Sequence, residues 1–177
     1  HINSTGGTWT MEQSLRLIED ARLRGLDVMA DMYPYEAWST GLTTARFDEG
    51  FLQRFRIQYS DIELVATAER LTEETFKKYR ASTTEVPVIA HAMPKADLVM
   101  AIKHPLVMIG SDGVIDKGRG HPRGSGTFAR ILGRFVRDEG HLPLMEALRK
   151  MTIMAAERLE KSAPMMRDKG RLKVGAD

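Results

Sequence analysis

Two side chains within one glycine-rich stretch carry the chemistry that this sequence supports best. Asp112 stands in Gly110-Ser111-Asp112-Gly113, directly after the apolar run Leu106-Val107-Met108-Ile109. Such a run, with β-branched members, is long enough for a buried strand and too short for a buried helix. A carboxylate at the C-terminal end of a buried parallel strand sits where α/β barrels hold their reactive groups. There it can ligate a hydrolytic metal, act as general base toward the attacking water, or do both. The plain alternative is a turn cap, a task that Ser-Asp-Gly performs well. Arg123 follows in the next loop, within His121-Pro122-Arg123. A guanidinium there suits a substrate carboxylate held in a bidentate fork. Read alone, it is more readily a solvated surface arginine.

The remaining candidates are weaker. His1 could bind a metal through an imidazole nitrogen. His121 could do the same, although a loop histidine next to proline is more often structural. His91 and His104 flank a helix and read as structural, and His141 reads as a helix-entry residue. Tyr33-Pro34-Tyr35 ends a strand and could line a pocket, while aromatic residues more often pack. Gly118-Arg119-Gly120-His121 lacks the lysine-serine or lysine-threonine pair of a phosphate loop.

Strands and helices must place these groups. Thr10 reads as an N-cap with Gln13 closing a capping box. Met11, Leu15, Ile18 and Ala21 then form a loose helical stripe that Gly25 stops. Leu26 to Tyr33 reads as a strand closed by Pro34. Residues 46 to 85 are too long for an ordinary connection and read as an insertion with its own secondary structure. Within it, Phe47 to Phe55 is amphipathic and Ile62 to Ala66 is a possible strand. Thr72 caps a helix with favourable Glu73–Lys77 and Glu74–Lys78 pairs. Val86 to Ala90 is strand-like, Pro94 opens a helix to about Lys103, and Leu106 starts the strand before Asp112. Thr127 caps a helix whose face carries Phe128, Ile131, Leu132, Phe135 and Val136. A last helix runs from Pro143 with Leu144, Leu148, Met151, Ala155 and Leu159 on one face. Alternating strands and amphipathic helices argue for an α/β fold with a parallel sheet.

Composition narrows the function classes. The 177 residues are 42% hydrophobic and 28% charged, as in a globular domain. Lysine and arginine number 26 against 24 acidic residues, interspersed without a basic stripe, so nucleic acid is not an expected partner. No apolar run reaches the length of a membrane span, and no signal peptide is evident. The chain has 0 cysteines, which removes disulfides and thiolate metal ligands. The default location is cytoplasmic. His1 at the start and Arg171-Leu172-Lys173-Val174 near the end suggest a piece of a longer polypeptide, with 170–177 as the start of a C-terminal β segment.

Taken together, several segments resemble the N-acyl-D-amino-acid deacylases, the D-aminoacylase branch of the metal-dependent amidohydrolase superfamily. They are Asp27 to Leu42 (DVMADMYPYEAWSTGL), Met108 to Gly113 (MIGSDG), His121 to Arg137 (HPRGSGTFARILGRFVR), Ala147 to Thr152 (ALRKMT) and Lys169 to Asp177 (KGRLKVGAD). SDG followed by HPR and GTF at this spacing is specific. The insertion at about 46–85 matches poorly.

The resemblance implies a fold and a site. It implies the C-terminal half of a catalytic domain: an incomplete (β/α)8 TIM-type barrel, about its sixth to eighth strands, with a helical insertion. It implies one or two zinc ions in the intact enzyme. His1 corresponds to a metal ligand after the sixth strand. Asp112 corresponds to the ligand and general base after the eighth. Arg123 corresponds to the group that binds the substrate α-carboxylate, with Tyr33 assisting and Ser39 in the pocket. The substrate would be a small N-acyl-D-amino acid. Asn3 departs from the pattern, where a lysine is often found, which leaves Arg123 as the main charge. The other expected ligands have no counterpart here. The chain alone is therefore expected to bind zinc weakly, to show little deacylase activity, and to self-associate through exposed sheet edges. The alternatives are another amidohydrolase, such as a dihydroorotase-like cyclic amidase or a D-residue dipeptidase, or a non-catalytic interaction module.

Overall fold

A computed structural model describes residues 1–6 and 8–176. It opens with one helical turn, α1 (Ile2–Thr5), followed by α2 (Met11–Leu23), β1 (Ala30–Met32) and β2 (Trp38–Gly41). The middle of the chain forms α3 (Phe51–Phe55), β3 (Ile62–Leu64), α4 (Glu73–Arg80) and β4 (Pro87–Ala90). Then come α5 (Lys95–Lys103), β5 (Val107–Ile109), and a small hairpin of β6 (Ile115–Asp116) and β7 (Arg119–Gly120). The last helices are α6 (Thr127–Arg130), α7 (Leu144–Met151) and α8 (Ile153–Leu159).

Among the described residues, the parallel pairing that places the site is that of β1 with β5. Ala30 lies opposite Val107, Asp31 opposite Met108, and Met32 opposite Ile109. The strand expected over Leu26 to Tyr33 is thus shorter, because only three of its residues face a partner in β5. The connection from β4 to β5 is α5, the helix expected to open at Pro94 and run to about Lys103. Met32, Val107 and Ile109 are buried in the same apolar core as Leu98 and Ile102 of α5, Ile131 and Phe135. Burying each such side chain contributes on the order of 2 kcal/mol.

The second sheet differs from the expected one. β4 runs antiparallel between β2 and β3, with Trp38 and Ile62 both opposite Ala90. Val86 to Ala90 is therefore no parallel barrel strand. It is the centre of a three-stranded antiparallel sheet that the 46–85 insertion completes. Phe47, Phe51, Phe55 and Phe76 pack with Trp38 beneath it, the Phe51 and Phe76 rings stacked at 4.9 Å. Such ring pairs add about 1 kcal/mol each beyond their burial. Thr72 caps α4 as expected, with Thr75 closing the reciprocal box, and Lys77 meets Glu73 at 2.6 Å.

Three local expectations change. The Thr10 hydroxyl donates to the Gly6 carbonyl at 2.5 Å and makes no cap hydrogen bond to α2. Thr127 is not a cap: Gly126 holds that place, and the Thr127 hydroxyl donates to the Arg123 carbonyl at 2.8 Å. After α6 the chain winds on as a π-helix over Ile131–Asp138. The helix expected to run on from Pro143 breaks at Thr152, whose hydroxyl donates to Leu148 O at 2.7 Å. Residues 171–176 make turns and irregular backbone, with Leu172 and Val174 fully exposed, so the expected β segment has no partner strand among the described residues. Among those residues no helix is long and apolar enough to cross a membrane.

Candidate active site

The candidate residues converge where β1 and β5 end. The Gly110 amide donates to the Met32 carbonyl at 2.9 Å, so the two chains separate only past this point. Tyr33 leaves β1 and Asp112 leaves the end of β5 into this opening. α1 brings His1 to it, and the 3₁₀ turn at Pro122–Gly124 brings Arg123.

His1 lies between two carboxylates. Its Nδ1 is 3.1 Å from Asp31 Oδ1, and its Nε2 is 3.3 Å from Asp112 Oδ2. The same Asp112 oxygen meets Arg123 Nη2 at 2.8 Å. Arg123 Nη1 donates to the Tyr33 hydroxyl at 2.8 Å, and its guanidinium lies 4.7 Å from the Tyr33 ring centroid. The His1 ring meets Tyr33 edge-on at 4.9 Å. Burial raises the Tyr33 pKa, with the Arg123 charge opposing it, so the phenol stays protonated and can donate onward.

Four of the five predicted site residues therefore touch one another. Ser39 is set apart. Its hydroxyl donates to Val88 O at 2.8 Å inside the antiparallel sheet, while its carbonyl accepts from Arg123 Nη2 at 3.3 Å. Asn3 is buried and donates to the Tyr33 carbonyl at 2.9 Å.

His121 is structural, as its loop position suggested. Its Nε2 lies 2.8 Å from the Ala37 carbonyl and its Nδ1 accepts from the Arg123 amide at 3.0 Å. These partners require a neutral ring with the proton on Nε2. Burial, and next the Arg123 charge, pull its pKa down to about 4. His91 pairs with Glu63, His104 with Glu19, and His141 with Glu139.

Asp31 was not foreseen as a site residue. The signal existed: in a strand, residues two apart share a face, and Asp31 lies two before Tyr33. Gly110 makes room for it, since a Cβ there would stand 2.8 Å from Asp31 Oδ2. Arg46 was also missed. It reaches the neighbourhood from the 3₁₀ turn Ala45–Phe47, with its guanidinium 4.3 Å from the Trp38 ring centroid.

Buried polar atoms without a hydrogen bond gather here. Among the described residues they include His1 Nδ1, Asn3 Oδ1, Trp38 Nε1, Arg46 Nε and Arg123 Nε. Native proteins leave few such atoms, and those they leave tend to mark places where a ligand or ion belongs. His1 Nε2 and Asp112 Oδ2, 3.3 Å apart, offer the imidazole and carboxylate that zinc accepts. The number falls short. No three His, Cys, Asp or Glu side chains among the described residues converge on one point, whereas a catalytic zinc takes about three protein ligands.

Comparison with known proteins gives the same direction. No protein-family model matches the chain. An N-acyl-D-glutamate deacylase of Alcaligenes xylosoxydans xylosoxydans is 34% identical over 169 residues, covering 92% of this chain and 33% of the relative. A D-aminoacylase of the same organism is 35% identical over 152 residues, covering 82% and 31%. The crystal structure of a D-aminoacylase that defines a novel subset of amidohydrolases superposes with a TM-score of 0.70 at 27% identity, over 97% of this chain and 36% of that one. An N-acyl-D-glutamate deacylase of Bordetella bronchiseptica, complexed with zinc and a phosphonate inhibitor, gives 0.71 at 28%, over 93% and 35%. The chain is homologous to the N-acyl-D-amino-acid deacylases, and it spans about a third of their length.

Proposed function

We propose that these residues are the acid–base and carboxylate-binding part of a deacylase that hydrolyses N-acyl-D-amino acids to a carboxylate and a free D-amino acid. In this reading β1 and β5 are the seventh and eighth strands of the barrel, and His1 follows the sixth. The observation that carries it is the shared Asp112 oxygen, 2.8 Å from Arg123 and 3.3 Å from His1 at the end of a parallel strand pair. One carboxylate placed between an imidazole and a guanidinium can serve both reaction and recognition.

His1 and Asp112 would hold zinc, which when bound polarises the acyl carbonyl and lowers the pKa of water. Asp112 accepts a proton from the attacking water and returns it to the departing amine. Arg123 releases Asp112 and receives the substrate α-carboxylate, with the Tyr33 hydroxyl donating beside it. Tyr33 is kept in place by Arg123 Nη1 and by the Asn3 amide on its carbonyl. With two donors, the chain by itself is expected to show no deacylation and weak zinc affinity.

The test is a chimera in which residues 1–177 replace the corresponding third of the Bordetella N-acyl-D-glutamate deacylase. The folded, zinc-loaded chimera should release D-amino acid from N-acyl substrates. A folded, zinc-loaded chimera without turnover would refute the assignment. The rival amidohydrolase reading is separated by a cyclic amide and a D-residue dipeptide as substrates, which should be inert.

A further inference from the structure

We infer that Tyr35 is a positioning residue for Arg123, acting through the backbone on which the guanidinium is mounted. This role rests on the deacylase reading, in which Arg123 clamps the substrate α-carboxylate, and adds to it the residue that aims the clamp.

Arg123 stands on a single 3₁₀ turn, Pro122–Gly124, between glycine-rich segments. So short a turn has poor hydrogen-bond geometry and does not by itself hold a long side chain in one direction. Two buried side chains tie Arg123 at both of its backbone groups. His121 Nδ1 accepts from its amide at 3.0 Å, and the Thr127 hydroxyl donates to its carbonyl at 2.8 Å. The aim of Arg123 therefore depends on how residues 121 and 127 are held relative to each other.

Tyr35 spans that interval. Its ring meets the His121 ring at 88°, with 5.4 Å between the centroids. Its hydroxyl lies against Gly126, the residue before Thr127, where a Cβ would collide with it. Arg130 covers the ring, its guanidinium 4.8 Å from the centroid, while its Nε donates to the Pro34 carbonyl at 2.6 Å. Edge-on ring pairs and a cation over a ring face are both favourable and directional. One ring thus bears on the chain before Arg123, after it, and one helical turn further on. Tyr33 and Tyr35 leave the end of β1 two residues apart and serve the same group differently. The Tyr33 hydroxyl accepts from Arg123 Nη1 and meets the charged head, whereas Tyr35 holds the frame behind it. A displacement of about 1 Å at a substrate-positioning group is enough to forfeit much of its effect.

The test follows rotation of the Arg123 guanidinium about its Nε–Cζ bond by NMR in the 177-residue chain. Tyr35→Leu should speed this rotation about tenfold, which is what losing one charge-assisted hydrogen bond takes from the barrier. Tyr35→Phe keeps the ring and should keep the rotation slow. Gly126→Ala displaces the ring without removing it, at a backbone angle that alanine accepts (φ −105°), and should speed the rotation too; it decides the matter if Tyr35→Leu does not fold. Arg80, held by Asp48 and the Thr44 carbonyl, is the control and should not change. Unchanged Arg123 rotation in the folded variants, or equal acceleration at Arg80, overturns the inference. Binding of N-acetyl-D-alanine against its α-carboxamide tests the underlying reading separately. The unaltered chain should prefer the carboxylate at least about tenfold, and Tyr35→Leu should lose most of that preference. A preserved preference in Tyr35→Leu overturns the role of Tyr35, whereas no preference in the unaltered chain refutes Arg123 as the clamp.

Discussion

Lowering the pH should weaken the fold through His121, and the loss can be worked from the structure. The ring is 2% exposed and bonded at both nitrogens, to Ala37 O and to the Arg123 amide. Protonation would turn Nδ1 from acceptor to donor, facing the Arg123 N–H. Its pKa moves from 6.5 to about 4, which is a cost of about 3 kcal/mol to the charged form. The folded value is the depressed one, so between these limits the unfolded chain binds more protons. The contribution is complete above pH 6.5 and is lost as pH falls toward 4. Between pH 7.5 and 5 the loss is about 2 kcal/mol. Urea unfolding of the unaltered chain and of His121→Asn, followed by tryptophan fluorescence at both pH values, isolates it, because other titrating groups are common to both. The unaltered chain should lose about 2 kcal/mol more than the variant. Equal losses would refute the neutral, doubly bonded ring and with it the account of how Arg123 is held.

Asp112→Asn in the chimeric deacylase should lower kcat by ~10²-fold or more with little change in KM, whereas Arg123→Ala should mainly raise KM. Small, equal effects would sink the assigned roles. Gly110→Ala puts a Cβ 2.8 Å from Asp31 Oδ2 and should push that carboxylate from His1, at a cost of about 1–3 kcal/mol. Unmoved His1 imidazole resonances would argue against the Asp31 contact. Lys150 is wholly buried, and burial pulls its pKa from 10.5 to about 8. Between these values the unfolded chain holds the extra proton, so stability should rise with pH there, and Lys150→Met should abolish that rise. The same rise in both proteins, measured by urea unfolding, would contradict a buried ammonium.

What the sequence made legible was chemistry attached to strand ends. Asp112 after Leu106–Ile109 and Tyr33 before Pro34 are fixed by local patterns, and the pairing of β1 with β5 brings them together. Arg123 and His1 gained meaning only in combination, because loop residues carry no periodicity to betray their direction. Asp31 was hidden because a carboxylate in an alternating strand reads as a solvent-facing residue. Arg46 was hidden more deeply, since its place depends on Trp38 and on a sheet that sequence patterns did not reveal. β4 misled for a related reason. Val-Pro-Val-Ile-Ala states that a strand is buried, but not which way its neighbours run. The π-helical turns after Arg130 keep an apolar face that reads as an ordinary helix.

The contact between Asp112 and Arg123 has a thermodynamic consequence. Each of these groups is the other's counter-ion until something replaces it. A cation that draws Asp112 toward His1 leaves the guanidinium without its partner and raises its affinity for an anion. An anion on Arg123 leaves the carboxylate free and raises its affinity for a cation. By reciprocity the two enhancements are the same factor. The pair therefore discourages either ion from settling alone and favours the arrival of both, so that metal occupancy and carboxylate binding should rise together in any titration.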